Sequence, residues 1–153
     1  MKKIVSIAVL MLTAMVVNAQ KVTFYSQEFE NGVRYHIGLG ESDNVLQTHT
    51  DTITTLNLSG LGITDIRDAV YLTAVTKLDL SYNSITDVSP LLTLSSLREL
   101  NLSNNKLEDI NILAFVEAES MEVDVSNNYI SDFSYFYTPG LCDFTFMGMG
   151  LQM

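Results

Sequence analysis

An α/β repeat solenoid with a parallel sheet along one side is the fold class this sequence predicts, and three observations predict it. First, four segments, TTLNLSGLGITDI, TKLDLSYNSITDV, RELNLSNNKLEDI and MEVDVSNNYISDF, repeat one phrase. Second, their paired apolar residues, Leu56/Leu58, Leu78/Leu80, Leu100/Leu102 and Val123/Val125, are spaced by 22, 22 and 23 residues. Third, each copy opens with a period-two alternation, the mark of a short strand with one buried face, and continues into further apolar positions. One copy cannot bury that surface alone, whereas stacked copies share a continuous core.

The elements follow in chain order. Residues 1–19 read as a secretory signal peptide. Lys2 and Lys3 form the charged start, Ile4 to Val17 is an uncharged run of 14, and Val17-Asn18-Ala19 supplies small residues before a cut at Gln20. The run is too short for a helical membrane span, which needs roughly 18 to 20 apolar residues. Cleavage takes the formal charge from −10 to −12, with 6 basic residues against 18 acidic. Such a chain is repelled by nucleic acid and by anionic lipid, so neither is an expected partner. The single cysteine, Cys142, permits no intramolecular disulfide.

Residues 20–52 precede the repeats, and two readings compete there. Ser26 is a good N-cap, and Phe29, Val33 and Ile37 follow at helical spacing. Against this, Asn31-Gly32 is a hairpin-turn signal, and Val33, Tyr35, Ile37 and Leu39 alternate as a strand would.

Residues 53–133 hold about four repeats of the form L-x-L-x-x-N-x-I, the pattern of a leucine-rich repeat. After each strand, one apolar set is Ile63, Ile85, Leu107 and Ile130; the next is Ile66, Val88, Ile110 and Phe133; a more variable set includes Leu72, Leu94 and Phe115. All are expected to point inward. Asn83, Asn105 and Asn128 stand where the chain leaves the strand. Interior turns there need side-chain amides to satisfy buried backbone groups, so these three read as a structural ladder. Leu61 breaks that ladder in the first copy. Asp65, Asp87, Asp109 and Asp132 form a column before the convex segment, where accepting backbone N–H bonds is the favoured role. Calcium is the competing use, but each Asp stands about 4.8 Å from the next and no second ligand recurs with it. The extra residue between Ile110 and Val123 is expected to make the last strand less regular.

These residues resemble the internalin-like class of bacterial leucine-rich repeats over Thr52 to Phe133. The stretch Asp87-Val88-Ser89-Pro90-Leu91-Leu92-Thr93-Leu94-Ser95-Ser96-Leu97 is similar to that class's D-I-x-P-L-x-x-L-x-x-L. The resemblance implies short helical or irregular convex segments and an N-terminal helical cap over residues 20–52, and so favours the helix for residues 26–39. It also implies adhesion or host-facing recognition.

Side chains leaving the strands on the open side form three columns: Thr55, Lys77, Glu99 and Glu122; Asn57, Asp79, Asn101 and Asp124; and Ser59, Ser81, Ser103 and Ser126. The candidate binding face comprises Lys77, Asp79, Tyr82, Arg98, Glu99, Asn101, Glu122 and Asp124. On or beside this face, only Tyr82, Tyr129 and Arg98 are of the types that dominate interface hot spots. Four or five strands give a footprint of roughly 300 to 400 Å², against about 800 Å² per partner in a standard complex. Binding by the sheet alone should be weak.

Residues 134–153 read as a C-terminal cap or an edge strand. The uncharged run 144–151 is expected to close the solenoid, with Tyr135, Phe136 and Tyr137 packed beneath it. Its alternative role is weak self-association by strand pairing. For catalysis there is little material. His36, His49 and Cys142 share no ligand spacing, and no nucleophile elbow, phosphate loop or metalloprotease motif occurs. No cofactor and no metal site are implied. Asn57-Leu58-Ser59 and Asn101-Leu102-Ser103 match a glycosylation sequon, read as accidental inside strands. The expectation is an exported, non-enzymatic module that binds protein or glycan in the periplasm, at the cell surface or outside the cell. The alternative is an assembly protein joined through its C-terminal strand.

Overall fold

The computed structural model describes residues 20–111, 120–131 and the backbone of 143–147. The signal segment, Phe115, Asp132, Phe133, Tyr135 to Tyr137 and Cys142 lie outside the described residues. Five strands, β1 (Thr55–Asn57), β2 (Lys77–Asp79), β3 (Glu99–Asn101), β4 (Ser120–Asp124) and β5 (Asp143–Met147), form one sheet in the order β1-β2-β3-β4-β5. Every pairing is parallel. Sequential parallel strands require a return segment on one side, and in the first two repeats it contains a five-residue 3₁₀ turn, Arg67–Tyr71 and Ser89–Thr93. Leu56, Leu58, Ile63, Ile66 and Leu72 of the first copy and their counterparts in the next are buried in one core.

The register is strict. Leu56 lies beside Leu78, Leu78 beside Leu100, and Leu100 beside Val123. The expected irregularity of the last repeat strand is not found, because β4 keeps this register over the 23-residue step, with Met121, Val123 and Val125 buried. A one-residue slip would turn its valines to solvent, so the extra residue is absorbed outside the ladder.

Helix α1 spans Gln27–Ile37 and resolves the competition between helix and hairpin. Ser26 Oγ accepts from the N–H of Phe29, and Gly38 ends the helix at φ 70°. Phe29, Gly32 and Val33 share the buried stripe. Gly32 is there for clearance and not for a turn: a Cβ would stand 2.3 Å from Leu58 Cδ2 and 2.8 Å from Leu61 Cδ1. The glycine thus lets α1 seat directly on the first repeat. A short helix α2, Gln47–Thr50, follows, and an antiparallel bridge between Lys21 and Leu46 ties the start of the described chain to it.

Candidate functional site: the concave sheet and its supports

The asparagine ladder explains why the sheet can be so regular. Asn105 Nδ2 donates to the carbonyls of Leu80 (2.9 Å) and Leu102 (3.0 Å), while its Oδ1 accepts from the N–H of Ile85 (3.0 Å). Asn83 does the same across the first two copies, through Leu58 O, Leu80 O and the N–H groups of Leu61 and Ile63. Asn128 repeats it through Leu102 O, Val125 O and the N–H of Leu107. Each amide therefore satisfies its own repeat and the one before it. Leu61 has no earlier repeat to serve, only α1, so an apolar residue fits there.

The aspartate column has the local role expected of it. Asp65, Asp87 and Asp109 each accept the N–H two residues on, from Arg67, Ser89 and Asn111. Arg67 also reaches back to Asp65 at 2.6 Å. That side-chain bond, followed by the Arg67 backbone N–H, holds the Asp65 carboxyl below its ordinary range.

Of the three outward columns, the first is exposed throughout, the second is half-buried from Asp79 onward, and the third is the most enclosed. Ser81 and Ser103 are buried. The N–H and Oγ of Ser59, Ser81 and Ser103 donate to Oδ1 of Asn57, Asp79 and Asn101, and the Ser126 N–H donates to Asp124. This bond needs only an oxygen two residues back, which is why Asn and Asp alternate freely. The apparent sequons at Asn57 and Asn101 are the same turn device. Arg98 also departs from the face expected of it: half-buried, its Nη1 donates to the carbonyls of Ser95 (3.2 Å) and Leu97 (2.9 Å).

What remains open is a shallow trough lined by Lys77, Asp79, Glu99, Asn101, Glu122 and Asp124, with Leu78 and Leu100 in its floor. Register places Glu99 directly beside Glu122, a like-charge neighbour that costs some fraction of a kcal/mol on a sheet. Lys77 pairs with Glu99. That bond, reinforced by the charges of Glu122 and Asp79, raises the lysine above its ordinary value. At the margin, Tyr82 sits at φ 56° and is 67% exposed. The same position is Gly60, Asn104 and Asn127 in the other copies, all left-handed. Glycine and asparagine suit that backbone and tyrosine does not.

Sequence reasoning missed the clasp between cap and first repeat. Asp68, 1% exposed, accepts the N–H of Tyr25 on both oxygens (2.9 and 3.0 Å) and that of Ser26 (2.9 Å). Arg67 lies 4.6 Å over the Tyr25 ring, and Tyr71 meets Phe24 edge to face. A signal existed: where the second copy has Pro90, the first has Asp68.

Among the described residues no group of three or more His, Cys, Asp or Glu could hold a metal ion. No helix among them is long and apolar enough to cross a membrane.

Residues 73–114 match the family model described as leucine-rich repeats, two copies. No curated protein matches the chain. Among solved structures, the chain is similar to an internalin, InlF, from Listeria monocytogenes, at 30% identity and a TM-score of 0.67, over 74% of this chain and 33% of that one. It also shares its fold with the functional domain of InlJ from Listeria monocytogenes, described as including a cysteine ladder, at 23% identity and a TM-score of 0.62, over 77% of this chain and 26% of that one. The chain thus spans about a third or less of either relative. Its fold is that of a protein-interaction module. With the repeat period, the parallel register and the asparagine ladder in agreement with these likenesses, the chain is an internalin-like bacterial leucine-rich repeat protein.

Proposed function

We propose that this chain is an exported, non-enzymatic binding module whose concave sheet contacts a protein or glycan in the periplasm, at the cell surface or outside the cell. In this reading residues 1–19 are a leader removed on export, 20–52 a cap, 53–133 the repeats and 134–153 a closing segment. The observation that carries it is the open row Lys77, Glu99 and Glu122 beside Asp79, Asn101 and Asp124. The sheet is held by backbone bonds, and the turns by Asn83, Asn105 and Asn128 and by the bonds of Asp79, Asn101 and Asp124 to the serines two residues on, so the row Lys77, Glu99 and Glu122 is not needed to maintain the fold. Keeping Glu99 against Glu122 costs stability, and a contacting partner gives that cost a use. The likeness to internalins supports recognition of another molecule as the role.

The test compares the mature chain with a Glu99→Lys/Glu122→Lys variant, which leaves the Asp124 turn bond to Ser126 intact, on a glycan array and against biotinylated surface-protein fractions. The mature chain should capture a ligand that the variant loses, with circular dichroism and solution mass unchanged. Equal capture by both, or by neither, sinks the concave-face reading.

A second reading is assembly through the C-terminal strand, favoured by the β4–β5 ladder, which runs over five residues where the preceding pairings cover three. Light scattering across a concentration series separates the two. Growth in mass that Phe146→Lys abolishes supports assembly, and a stable monomer removes it.

A further inference from the structure

We propose that Gln20, once it becomes the first residue of the exported chain, cyclises to pyroglutamate and seals the N-terminus of the cap. The inference rests on leader removal after Ala19, as proposed above. Among the described residues the fold takes hold of the chain at the Gln20 carbonyl. The N–H of Gln47 donates to it at 2.8 Å, the N–H of Val22 donates to Val45 O at 2.9 Å, and Lys21 bridges Leu46. Gln20 itself is exposed. A cut before Gln20 therefore leaves a residue whose carbonyl is anchored while its α-amine and side chain stand in solvent.

The chemistry needs nothing from outside the residue. The α-amine has an ordinary pKa of about 8, so a fraction is unprotonated near neutrality. It attacks the side-chain amide carbon, Cδ. The N–Cδ bond forms, the Cδ–Nε2 bond breaks, and ammonia departs carrying the proton lost by the amine. Attack within one residue has the rate advantage of any well-placed intramolecular reaction. Closing the five-membered lactam turns only the bonds joining the amine, Cα and the side chain. The carbonyl's bond to Gln47 and the Lys21–Leu46 bridge stay in place.

The product has no free amine for an aminopeptidase to engage, and the next residues are already held by the fold. Covalent and conformational protection then meet at the same residue, as suits a domain exposed to proteases outside the cytoplasm.

The experiment expresses the full chain, Met1 to Met153, with its own leader in a bacterial host and recovers the exported protein. Intact mass, tandem spectra of the N-terminal peptide and an aminopeptidase challenge are the readouts. The expected product starts at residue 20, is lighter than the linear chain by one ammonia and resists the aminopeptidase. Gln20→Ala should start at the same place, keep its full mass and be trimmed. A wild-type chain that starts at Gln20 but retains its full mass after prolonged incubation overturns cyclisation alone. A chain that is uncut, or begins elsewhere, overturns leader removal at this site and the proposal with it.

Discussion

Replacing Asp68 with alanine should loosen the cap from the first repeat, and the size of the effect can be worked from the clasp. The carboxylate makes three contacts of 2.9 to 3.0 Å to two backbone donors, Tyr25 N and Ser26 N. The shared Tyr25 donor counts as one charge-assisted bond, and each such bond contributes about 1.5 to 3 kcal/mol. Tyr25 is largely exposed, so water can replace its lost acceptor, whereas Ser26 is buried and its N–H would be stranded. The expected loss for Asp68→Ala is therefore about 2 to 4 kcal/mol. Asp68→Asn should lose about half as much, since one carbonyl oxygen still accepts while its NH₂ faces the second donor. Urea unfolding followed by circular dichroism gives the totals. Amide hydrogen exchange at Phe29 and Val33 tests the location, because a loosened cap exposes α1 before the sheet. A loss below about 0.5 kcal/mol, ordinary for an exposed surface position, would refute the clasp.

Three further outcomes are expected. Asn105→Leu strands two carbonyls and an N–H in the interior and should lose at least about 3 kcal/mol in chemical denaturation, while Leu61→Asn, with no earlier repeat to bond, should gain nothing comparable. Tyr82→Asn relieves a left-handed tyrosine and should gain about 0.5 to 1 kcal/mol in the same assay; if the concave face binds as proposed, it should also weaken ligand capture. For pH dependence, the lowered Asp65 carboxyl stabilises the fold above its unfolded-state pKa, and this is lost as pH falls through the lower folded-state value. Asp65→Asn should therefore be slightly less stable than wild type near neutrality and converge with it in acid, the gap being small because the pair is solvent-screened. A gap that widens in acid would contradict the sign.

Much of the architecture was legible because stacking makes each position recur. A residue that points inward at Leu56 must do so again at Leu78 and Leu100, and the amide at Asn83 returns at Asn105 and Asn128. Repetition turned single residues into columns, and columns have roles that period and chemistry can assign. The open row was legible for the same reason, since strand alternation alone places Lys77, Glu99 and Glu122 opposite the leucines.

Most of what failed was decided once, and the serine column failed although it recurs. Asn31-Gly32 carried a hairpin signal that local chemistry could not dismiss; only the approach of Leu58 and Leu61 to Gly32 shows that the glycine serves packing. Ser81 and Ser103 alternate outward by sequence, yet the carboxylate or amide two residues back draws them into the turn. Arg98 was expected on the face and instead spends its guanidinium on loop carbonyls. The sequence by itself determined the solenoid, its register and its ladder, because those follow from period and from the need to satisfy buried backbone. Tertiary structure alone decided how the first repeat meets its cap, through Asp68, Gly32 and Leu61, because that junction occurs once and joins residues some 25 to 45 apart in a chain whose other contacts repeat.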